Sequence, residues 1–72
     1  MKFKQEVVIK GKVVRFWMEK RGLDDIDIMA EMDGHEPIKV VRLRPDGMLG
    51  IYKIADTAYP FDLDADGYIL CR

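Results

Sequence analysis

Asp62, Asp64, Asp66 and Gly67, in the stretch DLDADG, have the spacing that opens an EF-hand calcium loop. Carboxylates at loop positions 1, 3 and 5 offer hard oxygen ligands, and the glycine at position 6 permits the sharp turn. The motif also needs a bidentate glutamate at position 12, and Arg72, at position 11, closes the sequence. Tyr59-Pro60-Phe61 makes a poor incoming helix, because proline disfavours helix at the residue before it. The expectation is therefore a hairpin turn with no metal and no cofactor. Any calcium held by these three aspartates would bind weakly, with a Kd on the order of 10⁻³ M or worse.

A second group could bind rather than catalyse. Arg15, Trp17, Lys20 and Arg21, with Lys10 and Lys12, set an aromatic ring among cations, a pattern that stacks bases and neutralises phosphates. On a strand, Phe16 and Trp17 point to opposite faces. If Phe16 faces the core, Trp17 faces outward, free for a base or for a protein partner. The preferred reading is blander: Trp17 packs under the 54–61 loop, and the lysines solvate an edge strand.

Catalysis has little to work with. Serine is absent, Thr57 has no adjacent histidine, and GKVVRF lacks the P-loop pattern. Cys71 and His35 are the single cysteine and histidine, too few for a Cys/His metal site within one chain. Cys71, beside Leu70, reads as core. A chain of 72 residues can hardly build both a core and a catalytic pocket of about 300 Å³.

The elements that must position these groups are strands. Asp-Gly occurs at 33–34, 46–47 and 66–67 between apolar segments, a strong hairpin signal. IDIMAEM, residues 26–32, alternates with period two, which favours strand over a capped helix from Asp24 to Gly34. Folding it back across 33–36 sets Met32 opposite Pro37, Ile28 opposite Val41 and Ile26 opposite Leu43. The same register sets Asp27 against Arg42 and Asp25 against Arg44, so apolar face and charge pairs agree. Pro45-Asp46-Gly47 then closes Arg44 on Met48, Leu43 on Leu49 and Val41 on Ile51. Val40 would meet Tyr52 and Ile38 would meet Ile54 on the opposite face, with Lys39 facing Lys53.

The amino-terminal stretch VVIKGKVVRFW fits a hairpin turning at Gly11-Lys12, with Ile9 facing Val14, Val7 facing Phe16 and Lys4 facing Glu19. One strand bent at Gly11, or a short amphipathic helix over residues 12–20, are the alternatives. Five or six short strands predict an all-β, mainly antiparallel domain spanning residues 1–72. It is a small meander or barrel, with OB-like and SH3-like barrels as analogies of fold class.

Charge runs in blocks of alternating sign: +5 over residues 1–22, −6 over 23–36, +3 over 37–53 and −3 over 54–72. The net charge of −1 disfavours a general nucleic-acid binder, and the blocks suit pairing between neighbouring strands. The lone thiol and the lack of a signal peptide or apolar span point to cytoplasm and away from membrane. Function is then expected to be a non-catalytic interaction module that binds a protein partner or its own copy, through Trp17 or an unpaired strand edge. Single-stranded nucleic-acid binding through the basic, aromatic amino-terminal face is the alternative.

Overall fold

The computed structural model describes residues 4–72. Seven strands follow in chain order: β1 (Gln5–Ile9), β2 (Lys12–Arg21), β3 (Asp25–Glu31), β4 (Ile38–Leu43), β5 (Leu49–Ile51), β6 (Phe61–Leu63) and β7 (Ile69–Cys71). The first five form one antiparallel sheet in sequence order, and β6 and β7 form a separate antiparallel hairpin. The fold is all-β, and the large sheet is a meander: β1 and β5 are its two edges. Residues 12–20 and 24–34, for which helix was the alternative, are mainly extended.

The first turn is Lys10-Gly11, one residue earlier than expected. Both residues have positive φ, 49° and 76°, as a two-residue type I′ turn requires. Ile9 therefore pairs with Lys12, and Gln5 rather than Val7 stands opposite Phe16. The slip covers two residues, so each side chain keeps its expected face. Lys4 Nζ sits 4.8 Å from the centre of the Trp17 ring rather than in register with Glu19.

Between β3 and β4 the predicted pairs Ile26–Leu43, Asp27–Arg42 and Ile28–Val41 form. Beyond them the register shifts, so Met29 meets Lys39 and Ala30 meets Ile38. The shift is a β-bulge at Val40-Val41, which turns two successive side chains to one side. Both valines are buried in the same core cluster, and Ile38 and Leu43 pack against it. Val40 and Ile38 thus do not cover a second face. β5 stops at Ile51, and Lys39 lies 5.9 Å from the Tyr52 ring centre rather than in a ladder with Lys53. Asp25 pairs across to Arg21, while Arg44 turns to Asp46 at 3.6 Å.

The core lies between the sheet and the segment 54–63. Val14, Ala30, Tyr59 and Phe61 are fully buried, with Phe61 5.6 Å from Phe16 and 6.1 Å from Tyr59 between ring centres. The Tyr59 hydroxyl donates to the Glu36 carbonyl at 2.9 Å, and burial raises its pKa. Tyr59→Phe should cost about 1 kcal/mol, the net worth of one buried hydrogen bond. Thermal unfolding should then shift down by roughly 4–8 °C. An unchanged midpoint would mean that the hydroxyl bond adds nothing over water.

Candidate functional site

The calcium-like stretch is a hairpin turn. Asp64 N–H donates to the Tyr68 carbonyl and Gly67 N–H to the Asp64 carbonyl, each at 3.1 Å. Asp64 Oδ1 accepts from the N–H groups of Asp66 and Tyr68, both at 2.9 Å. Its carboxylate therefore serves as the cap of the loop. Asp62 Oδ2 lies 3.6 Å from Arg72 Nη2. Gly67 has φ 86°, and a Cβ there would lie 3.6 Å from Leu49 Cδ1, which ties the loop tip to the start of β5. The turn at 44–48 follows the same scheme: Arg44 N–H donates to Met48 O and Gly47 N–H to Arg44 O. No group of three or more His, Cys, Asp or Glu that could hold a metal occurs among the described residues.

The six basic and aromatic residues do not converge. Strand alternation sends Arg15, Trp17 and Arg21 to the face away from the core, with their partners Glu31, Met29 and Asp25. Lys12 and Lys20 share the other face, where Lys12 Nζ donates to the Ala58 carbonyl at 3.2 Å. Lys10 stands in the first turn. Trp17 is only 7% exposed, and it is neither outward and open nor under the 54–61 loop. Phe16 takes the side of Tyr59 and Phe61, so Trp17 is carried to the opposite one. There Lys4 lies over its ring and its indole N–H donates to Glu19 at 3.2 Å.

That face is a lattice of paired charge. Arg15 contacts Glu31 at 3.1 Å, Asp33, and Glu6 at 3.8 Å. Its hydrogen bonds to Asp33 and then to Glu31 raise the pKa of its guanidinium. Those from Lys4 and then Arg15 hold Glu31 below the usual carboxylate range. Asp27 is fully buried and accepts from Arg42 Nε at 2.9 Å, with Arg21 Nη1 at 3.6 Å. Its pKa is lowered, chiefly by the Arg42 hydrogen bond against an opposing desolvation penalty. Arg42 in turn lies 5.7 Å from the Tyr52 ring centre. The alternating blocks of the sequence are thus spent largely on one another. Sequence reasoning found the Asp27–Arg42 pair and missed that the carboxylate is sealed; its signal was two arginines able to reach one aspartate.

Cys71 is exposed on β7, not core, because neither face of this three-residue strand is covered: Ile69, Leu70 and Cys71 are all exposed. His35 turns to Asp56 at 3.2 Å and meets Tyr59 edge-on. Depressions of about 450 and 320 Å³ reach the size expected of a pocket but are open grooves. The larger is lined by Asp25, Arg42, Arg44, Asp46, Ile51 and Tyr52 among others, charges of both signs.

Of the two sheet edges, β1 is the longer, five residues against three in β5. A two-residue loop closes on a hydrogen-bonded pair, here Ile9 and Lys12. Bonded and non-bonded pairs alternate from there, so Val7 and Gln5 bond inward and Glu6 and Val8 aim their peptide groups outward. Among the described residues no strand lies on that side. Val8 is 67% exposed, and its cross-strand neighbour Val13 is 42% exposed. No family model, curated protein or solved structure matches the chain.

Proposed function

We propose that this domain is a non-catalytic interaction module and that it engages protein through the β1 edge. The observation that carries the reading is an edge strand, Gln5–Ile9, paired with β2 on one side only and bordered by exposed valines. Edge strands present free N–H and C=O groups in register, and strand addition is a recurring way of using them. Charged side chains and bulges usually blunt such an edge, yet exposed Val7 and Val8 follow Glu6 in its middle. Of the two contacts the sequence suggests, Trp17 and a strand edge, burial of the indole favours the edge.

The nucleic-acid alternative draws less support. A stacking platform needs an accessible ring and unpaired cations. Trp17 is buried, and Arg15 is engaged by three carboxylates. Oligonucleotide titration at low salt should give no binding. Saturable binding whose log K falls with log salt would favour the alternative instead.

The direct test is a photo-crosslinking amino acid at position 8 of the full chain, with one at the exposed Lys53 as control. The expected result is an adduct with one defined polypeptide from position 8, identified by mass, and none from position 53. No protein adduct from position 8 would remove the basis of the reading.

A further inference from the structure

Resting on the edge-strand reading above, we infer that the strand docking on β1 is β1 of a second copy, antiparallel, about a two-fold axis through Val8. The charges along the strand choose this register. With the axis at Val8, Val8 meets its own counterpart and Glu6 meets Lys10 of the other copy, twice per dimer. An axis at Val7 would set Lys4 against Lys10 twice and leave Glu6 against Val8. An axis at Glu6 would set that carboxylate against itself. Like charges directly opposite are destabilising, and unlike charges are favourable. Over residues 5–10, only the Val8 axis sets unlike charges opposite one another.

Backbone chemistry agrees with the charge argument. Glu6 and Val8 are the residues whose N–H and C=O groups point away from β2, so the Val8–Val8 pair exchanges two reciprocal hydrogen bonds. The contact is isologous, as a closed dimer requires. Val8 shares a face with Val13, its ladder partner. In the dimer Val13, Val8 and their two counterparts form one valine row across the junction, covering surface that is 67% and 42% exposed in the single chain. The charged partners are available. Glu6 touches Arg15 at only 3.8 Å and its side chain is 65% exposed. Lys10 is exposed in the turn just beyond the strand. Two five-stranded meanders would join into one continuous sheet.

Sedimentation velocity of the full chain from micromolar to millimolar concentration tests this, with heteronuclear NMR to verify that each variant folds. The native chain should show a concentration-dependent dimer. Glu6→Lys and Lys10→Glu should each weaken it by about tenfold, because two exposed pairs become repulsive at once. The combined variant should restore association to within about threefold of native, since the pairs reform with signs exchanged. Val8→Pro should be monomeric and folded, because it removes an N–H that the chain itself does not use. A native chain that stays monomeric, or a dimer indifferent to both charge reversals, would overturn the inference. So would a dimer that survives Val8→Pro and dissolves with Tyr68→Glu, since that places the junction on the β6–β7 hairpin. A monomer that still crosslinks another polypeptide from position 8 removes only the self-pairing and leaves the proposed function standing.

Discussion

Asp27→Ala should destabilise the domain by about 2–3 kcal/mol and lower the melting midpoint by roughly 10–20 °C. The carboxylate has no exposed surface, and its two oxygens serve Arg42 and Arg21. Breaking a buried ion pair typically costs about 3–5 kcal/mol, because the surviving charge is left without a partner. The figure is reduced here because the Arg42 side chain is 29% exposed and can turn to water. Replacing Asp27 and Arg42 together with leucine should recover more than half of the loss, since apolar residues of similar volume substitute well for buried pairs. Chemical denaturation of the single and double variants measures both numbers. A cost below about 0.5 kcal/mol for Asp27→Ala would class the pair with exposed ion pairs that contribute nothing measurable.

The same residue sets part of the acid limit. The folded pKa of Asp27 lies below its ordinary value. The unfolded state therefore binds the proton more readily, and the contribution is present in full above the unfolded pKa, about 3.9. It is lost as pH falls through the folded pKa. Glu31 and Asp56 are shifted the same way, the first by Lys4 and Arg15, the second chiefly by the Ala58 N–H. The stability difference between native chain and Asp27→Asn should thus be constant near neutrality and shrink below about pH 4. A difference that persists undiminished at pH 2 would mean that ionisation of Asp27 is not what it measures.

Phe61→Ala should cost about 3–5 kcal/mol, the range for deleting a buried phenyl ring. A 72-residue domain has roughly 4–11 kcal/mol in total at the usual value per residue, so a large unfolded fraction is expected at room temperature. The ring is fully buried and stacks obliquely on Phe16, 5.6 Å away. It packs the β6–β7 hairpin against the large sheet, with Leu63 also against the core. Tyr68→Ala, at the exposed loop end of the same hairpin, should stay within about 0.5 kcal/mol of native. A cost for Phe61→Ala of less than about 1.5 kcal/mol would show that the sheet holds its structure without the hairpin docked against it.

How far these features could be read from residues alone depends on whether two signals coincided. Ile26–Leu43 and Ile28–Val41 were legible because the register that aligns them also pairs Asp27 with Arg42. The turn at 44–48 was legible because proline, aspartate and glycine each demand a particular position. At Val40-Val41 no second signal existed: a pair of valines suits a strand covered on both faces as well as a bulge that turns both inward. The first turn was displaced because Lys10 occupies a left-handed conformation that its side chain does not advertise. Of the candidate site, the strand edge was foreseen in kind but not in place. The basic residues were foreseen as a group, and alternation along β2 divides them between two faces. Tyr59 was missed as a core anchor because it lies outside every strand.

Among the described residues, every ladder joins strands that follow one another along the chain. Each closure therefore spans only a short loop, and the entropy lost at each step stays small. Such a chain can zip outward from any one of its tight turns without waiting for distant segments to meet. The exception is the docking of Phe61 on Phe16, which must bridge most of the polypeptide. That encounter is the natural late event, made after the rate-limiting step, and kinetics of Phe61→Leu should show faster unfolding with an almost unchanged refolding rate.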